Sequence, residues 1–94
     1  MRFEWDASKA TANRKKHRIT FDEALTVFRD PLAVIFGDEA HSSAEKREII
    51  IGHSDRNRLL LVCFTERAIE VVRIFSARRS TKKEQADYEE KSRF

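Results

Sequence analysis

The sequence predicts a single α+β domain whose elements follow the order β-α-α-β-β-β-β-α, with an antiparallel sheet packed against helices. Two patterns predict this fold class. Apolar residues recur at helical spacing before the single proline, Pro31, and in extended runs after it. These later runs are joined by short, turn-rich stretches, and short connections favour antiparallel neighbours. A chain of 94 residues can build one modest core, so residues 1–94 are expected to form one domain.

The N-terminal third carries a short strand and two helices. Arg2–Trp5 alternates and is rich in aromatic residues, which is typical of a strand, and Asp6 can cap a helix over residues 7–17. A second helix starts at a capping box formed by Thr20 and Glu23 and ends before the proline. Its apolar positions recur at i, i+3, i+4 and i+7, namely Phe21, Ala24, Leu25 and Phe28.

Four strands and a last helix are predicted after the proline. The strands cover residues 32–36, 48–53, 58–66 and 69–77. The middle two are almost continuously apolar, which predicts central strands covered on both faces. Thr81 and Glu84 offer a second capping box, for a helix reaching about Glu90. Because only Ala86 and Tyr88 give this helix apolar character, we expect it to dock weakly.

The charge pattern favours a polyanionic ligand. Residues 1–18, 19–66 and 67–94 carry formal charges of +4, −4 and +3, so the ends of the chain are basic and its middle is acidic. This distribution suits nucleic acid, although a well-solvated surface would also account for it. The longest apolar run, Leu59–Phe64, is too short to span a membrane, and the N-terminus lacks the apolar stretch of a signal peptide. Cys63 is expected to be a buried small residue, and the cytoplasm is the expected compartment.

The first basic cluster lies on the first helix. Its cationic run RKKHR covers residues 14–18. Helical spacing puts Lys9, Asn13, Lys16 and His17 along one side, while Arg14, Lys15 and Arg18 fan outward. Cations near a helix C-terminus are mildly favoured by the helix dipole, which explains one or two of them. An anion-binding stripe explains the whole set, and the sequence leaves both interpretations open.

The second basic cluster follows the last strand. Strict alternation puts Arg73 on one face with Val71 and Phe75, among apolar neighbours, and puts Ile74 and Ser76 on the other. A long cation in that position must pair, reach solvent or line a groove. The start of the last helix then holds Arg78, Arg79, Lys82 and Lys83. Cations are disfavoured at a helix N-terminus whereas a phosphate is favoured there, so this cluster suits an anion better than it suits the fold.

Absent motifs narrow the chemistry. The sequence has no Gly-rich phosphate loop, no Cys/His zinc spacing and no G-x-S-x-G motif. Asp38, Glu39 and His41 share a loop, where they are better explained as solvated turn residues than as a weak metal site. A catalyst acting on phosphate would therefore work without a metal or other cofactor. Its tools would be His, Lys, Arg and Tyr, with which a ribonuclease moves protons and neutralises the phosphate.

The segment FEWDASKATANRKKHRITFDEA resembles the opening of the BrnT family of bacterial toxins, with its signature W-D-x-x-K-x-x-x-N-x-x-K-H followed by F-x-E-A. The matching positions are Trp5, Asp6, Lys9, Asn13, Lys16, His17, Phe21, Glu23 and Ala24. Later family marks match Asp30, Pro31, Arg73, Ile74, Ser76, Ala77, Arg78, Glu84 and Tyr88, so the resemblance spans nearly the whole chain. The family commonly has Gly where this chain has Arg18, which would cost on the order of 1 kcal/mol if a left-handed geometry is kept.

This resemblance implies a RelE-like fold and a metal-independent endoribonuclease that blocks translation. It also implies a neighbouring DNA-binding antitoxin, BrnA, so that DNA is contacted only through the antitoxin and the complex can assemble further. The expected catalytic residues are His17 as general acid or base with Lys16 nearby, Arg73 and Arg78 as phosphate and transition-state stabilisers, and Tyr88 for proton transfer or base stacking. The expected RNA-binding residues are Lys9, Asn13, Arg14, Lys15, Arg79 and Lys82.

Simpler roles stay open for several of these residues. His17 would also suit the helix end, Tyr88 would suit a packing anchor for the last helix, and Lys9 and Asn13 would also pair with Asp6 or with the sheet. The alternative function is a basic module that binds nucleic acid or a partner protein without catalysis.

Overall fold

The computed structural model describes residues 1–92, which form one five-stranded sheet and three α-helices. The elements are β1 (Arg2–Glu4), α1 (Ala7–His17), α2 (Phe21–Thr26), β2 (Val34–Gly37), β3 (Glu48–His53), β4 (Leu59–Ala68), β5 (Val71–Arg79) and α3 (Lys82–Lys91). The predicted α+β class and element order are confirmed. Across the sheet the order is β1-β5-β4-β3-β2, and every neighbouring pair is antiparallel except β1 and β5, which run parallel. No helix within residues 1–92 is long and apolar enough to cross a membrane.

Side-chain caps start all three helices where the sequence predicted them. Asp6 Oδ1 accepts the backbone N–H groups of Ser8 and Lys9, at 2.9 and 3.1 Å. Thr20 Oγ1 accepts the Glu23 N–H, but the reciprocal bond of the predicted capping box is absent, because the Glu23 carboxylate binds Arg58 and Ser54 instead. At α3 both bonds of the predicted Thr81–Glu84 box form. The second helix is shorter than predicted, because after Thr26 the chain tightens into a 3₁₀ turn over Val27–Arg29.

Both faces of the sheet carry apolar side chains. On the first face, α1 and α2 cover the main core, which includes Phe21, Leu60, Val62 and Ile74. The second face holds a smaller cluster around Ile51 and Leu61, over which α3 places Tyr88. The two central strands, β3 and β4, contribute to both clusters, which explains why their sequences read as continuous apolar runs.

A register shift in β5 changes which of its residues share a face. Ile74 pairs with Phe64 and Ser76 pairs with Cys63, so Phe75 is an extra residue opposite a single step of β4. Ile74 and Ala77 therefore both enter the main core, and Ser76 turns to the second face. The prediction that Ser76 shares a face with Ile74 was wrong, because strict alternation does not allow for a bulge.

Candidate functional site

The bulge brings the two arginines of β5 to one face of the sheet. Arg73 and Arg78 are five residues apart, a separation that would place them on opposite faces of a regular strand. Val72 lies in the main core, so its neighbour Arg73 points to the second face. Arg78 pairs across the sheet with Leu61 of the second cluster and therefore shares that face. A surface with two guanidinium groups along one strand results.

Asn13 fixes α1 along the free edge of β5. Strand β1 pairs with β5 only over Val71–Arg73, and further along Asn13 takes the place of a neighbouring strand. Its Nδ2 donates to the carbonyl of Ala77 at 2.9 Å, and the Ala77 N–H donates back to Oδ1 at 3.0 Å. Nδ2 also donates to the carbonyl of Ile19, at 2.9 Å. Because Asn13 is buried and its amide hydrogens are both used, we do not retain it as an RNA contact.

The predicted cations of α1 flank this anchor. Lys9 and His17 lie one turn before and after Asn13, and Lys16 lies three residues after it, so all three border the side of the helix held against β5. Lys9 and Lys16 are exposed, and His17 is half-buried. Lys16 and His17 are thus held beside the strand that carries Arg78, the residue after Ala77.

Arg47 is a cation of this region that the sequence did not single out. Its guanidinium stacks 3.9 Å from the ring centroid of Phe75, and Lys9 Nζ lies 5.3 Å from the same ring. Arg47 belongs to the acidic middle of the chain, where local charge gives no sign of a basic surface. Only the start of β3 and the bulge bring it to Phe75.

Arg73 and Arg78 are both paired with acids. Arg73 Nη1 lies 3.6 Å from Glu4 Oε2. Of the outcomes expected for a cation among apolar neighbours, this is pairing with an acid. Arg78 makes two parallel bonds to Glu84, from Nη1 to Oε1 and from Nη2 to Oε2, both at 2.8 Å. The Arg78 guanidinium and the Thr81 N–H lower the pKa of Glu84 to about 2, against the cost of burial. Glu84, which the sequence indicated only as a capping-box residue and a family mark, thus belongs to the candidate site through its pair with Arg78.

Tyr88 holds α3 to the sheet. Its hydroxyl donates to Asp30 Oδ2 at 2.9 Å and lies 3.2 Å from His53 Nδ1. Burial and the Asp30 carboxylate raise the pKa of Tyr88 to about 12. Because the ring is buried and the hydroxyl is bonded to Asp30, the geometry favours the packing role for Tyr88.

The remaining predicted cations are exposed and spread around this surface. Arg14, Lys15 and Arg18 line an open groove of about 560 Å³ between α1 and the start of α2, together with Trp5 and Phe21. Arg79 and Lys82 lie exposed where β5 gives way to α3. Within residues 1–92, none of these five cations forms an ion pair. Over the same described range, no three His, Cys, Asp or Glu side chains converge as a metal site.

A small α+β domain that gathers unpaired cations beside a sheet edge is typical of a protein that binds an anionic polymer. The family model described as "Ribonuclease toxin, BrnT, of type II toxin-antitoxin system" matches residues 5–84, and the chain belongs to this family. It is thus a ribonuclease toxin of that family, and membership implies an antitoxin partner.

The fold agrees with this assignment. The crystal structure of the Brucella abortus ribonuclease toxin BrnT is similar, with a TM-score of 0.67 at 23% sequence identity, over 87% of this chain and 99% of that chain. No curated protein sequence matches this chain.

Proposed function

We propose that this chain is a metal-independent endoribonuclease that cleaves RNA in the cytoplasm and thereby inhibits translation. One observation carries the proposal: the bulge in β5 puts Arg73 and Arg78 on one face, while Asn13 holds the Lys16–His17 end of α1 against the same strand. Family membership supports the ribonuclease activity.

The proposed reaction uses groups from both sides of β5: Lys16 and His17 on α1, which covers the first face, and Arg73 and Arg78 on the second face. His17 accepts the proton of a 2′-hydroxyl, the 2′-oxygen attacks the adjacent phosphorus, and the 5′-oxygen leaves with a proton returned by the same imidazole or by solvent. Arg73 and Arg78 face the extra negative charge that develops on the phosphate, with Lys16 beside His17. These guanidinium groups take the part that a metal ion plays in other nucleases, which is why we propose a metal-independent reaction.

The exposed cations around the site would guide the RNA strand. Lys9 and Arg47, both over Phe75, extend the positive surface along one side. The other RNA-contacting groups that we propose are Arg14, Lys15, Arg79 and Lys82. Each contributes a phosphate contact whose loss weakens binding in a salt-dependent way.

We propose that the partner is a BrnA-like antitoxin that covers this basic surface with acidic side chains. DNA would be contacted only by the antitoxin, and copies of the complex would assemble further through it. A structure of the complex that leaves Lys16 and Arg78 exposed would count against this arrangement.

The second candidate is a basic module that binds RNA or a partner without cutting. The two functions separate in one experiment, in which purified protein is mixed with end-labelled RNA in EDTA and the products are resolved on a gel. We expect cleavage in EDTA, loss of cleavage in His17→Ala and Arg78→Ala with the circular dichroism spectrum retained, and no loss in the control Arg56→Ala, an exposed arginine of the β3–β4 turn. Intact RNA with salt-dependent binding would instead support the binding module.

The toxin function is tested by expressing the chain in cells, alone and together with its neighbouring small gene. We expect growth arrest in the first case and growth in the second. Normal growth and uncut RNA when the chain is expressed alone would overturn the toxin function proposed here.

A further inference from the structure

The hydrogen bonds of Arg78 use one end of its guanidinium and leave one edge open. Nη1 donates to Glu84 Oε1 at 2.8 Å and to the carbonyl of Arg79 at 3.2 Å, so both of its hydrogens are used. Nη2 donates one hydrogen to Glu84 Oε2 at 2.8 Å. Among the groups of residues 1–92, none accepts a hydrogen bond from Nε or a second one from Nη2.

The open edge has the shape that a phosphate requires. The Nε–H and the remaining Nη2–H are parallel donors on one side of a planar group, which is the arrangement that binds two phosphate oxygens at once. The Arg78 side chain is 37% exposed. On the same face of β5, Arg73 supplies a second positive charge.

Glu84 is itself fixed by hydrogen bonds to Thr81. Its Oε1 also accepts the backbone N–H of Thr81 at 2.8 Å, and its own N–H donates to Thr81 Oγ1 at 3.2 Å. This capping box ties the carboxylate to the start of α3, and Tyr88 ties α3 to Asp30. The Arg78 guanidinium is therefore clamped to a fixed element instead of moving freely as an exposed arginine would.

We propose that Glu84 is a positioning residue, which orients Arg78 so that its Nε–Nη2 edge binds the RNA phosphate two oxygens at a time. This inference rests on the proposed ribonuclease function and adds to it a role for a carboxylate that touches no substrate. Its low pKa keeps Glu84 ionised across the physiological range, so it holds the arginine without exchanging protons with the substrate.

Two variants separate positioning from helix capping. Glu84→Gln keeps a carbonyl oxygen for the Thr81 N–H but removes one acceptor and the charge that hold Arg78. The matched control, Thr81→Ala, removes the side-chain cap and leaves the Arg78–Glu84 pair intact. We expect kcat for RNA cleavage to fall by about tenfold or more in Glu84→Gln, since a misaligned donor loses much of its transition-state value, and to stay within about threefold in Thr81→Ala. Equal losses in both variants would overturn the positioning role while leaving the ribonuclease function intact.

A double-mutant cycle tests whether Glu84 acts through Arg78. Arg78→Lys keeps a positive charge but lacks the planar Nε–Nη2 edge, so adding Glu84→Gln to it should cause no further loss of kcat, because the edge to be positioned is already absent. Independent, multiplying losses would contradict the proposal.

A binding measurement tests the open edge without any cleavage. A fully 2′-O-methylated RNA oligonucleotide lacks a free attacking hydroxyl, so it can be titrated into ¹⁵N-labelled protein while the Nε–H signal of Arg78 is followed by NMR. We expect this signal to shift in the natural chain and to be unaffected in Glu84→Gln. An unshifted signal in the natural chain would overturn the inference, whereas a shift in a chain that cuts no RNA would overturn only the proposed function.

Discussion

At the scale of single residues, backbone strain sits at Arg18. This residue ends α1 in the left-handed conformation, with φ 60° and ψ 29°, and its N–H donates to the carbonyl of Arg14. A side chain with a Cβ is disfavoured there, and Gly is the usual solution. The conformational cost expected for Arg18 is therefore present, because the backbone is left-handed here although the residue is not the Gly common in the family.

Replacing Arg18 with Gly should raise the free energy of unfolding by about 1 kcal/mol, because Gly adopts this conformation without strain. In a domain of this size that corresponds to a rise in Tm of about 4–8 °C in calorimetry. Arg14→Gly is the control, since Gly inside a helix should destabilise by about 1 kcal/mol. A lower Tm in Arg18→Gly would show that the side chain contributes more than its conformation costs.

The single tyrosine allows one ionisation to be followed alone. We expect Tyr88 to titrate near pH 12 in the folded chain and near pH 10 in urea, by absorbance at 295 nm. Its folded pKa is raised, so its contribution to stability is complete below pH 10 and is lost as pH rises towards 12. Asp30→Asn should lower the folded midpoint, and an unchanged midpoint in that variant would exclude Asp30 as a cause.

At the scale of elements, one buried carboxylate joins α2 to the turn between β3 and β4. Glu23 is 6% exposed and accepts hydrogen bonds from both Nε and Nη2 of Arg58, the former at 2.9 Å. Ser54 Oγ donates to it at 2.7 Å, and Thr26 Oγ1 accepts the Asp55 N–H at 2.9 Å. The family's F-x-E-A mark therefore has a structural role here.

Glu23→Ala should destabilise the chain by about 3 kcal/mol, because it leaves Arg58 without its partner at a largely buried position. Asp22→Ala, on the exposed side of the same helix, should change stability by about 0.5 kcal/mol or less. Urea denaturation of both variants measures the difference. Equal effects would mean that the pair is not a tie between these elements.

At the scale of the whole molecule, three carboxylates link stability to pH. The guanidinium of Arg58 lowers the pKa of Glu23, and that of Arg78 lowers the pKa of Glu84 to about 2. Burial opposes ionisation of Asp30, yet hydrogen bonds from the His53 and Leu32 N–H groups and from the Tyr88 hydroxyl together hold its pKa below the usual range. Glu23 and Asp30 join elements that are distant in sequence, whereas Glu84 joins β5 to the start of the next element, α3.

Because these folded pKa values are lowered, the stabilisation is complete above about pH 4.5 and is lost as pH falls towards 2. Urea denaturation between pH 7 and pH 3 should therefore show a steep loss of stability below about pH 4.5. The profile should be shallower in Glu84→Gln, which has no proton to bind at this site. A profile equally steep in that variant would exclude Glu84 from the acid response.

Local signals were enough to predict the order of elements and the helix starts. The Asp6 and Thr81 caps and the change of apolar period after Pro31 depend only on neighbouring residues, so they can be read from the chain. The cations of α1 and of β5 were also found in this way, and they occupy the two elements that Asn13 joins.

The tertiary structure alone decided how these residues work together. The bulge at Phe75 places Arg73 and Arg78 on one face of the sheet. The side-chain amide of Asn13 is hydrogen-bonded to Ala77, and Arg47, from the acidic part of the chain, stacks on Phe75. Contacts between elements distant in sequence set each of these arrangements. A single inserted residue changes the face of the sheet to which every later side chain of that strand points. The sequence by itself determined which elements form and where the positive charge lies, because those properties are local. The face that each arginine occupies and the carboxylate that holds it are set by strand register and tertiary packing. These depend on residues far apart in the sequence and are not local.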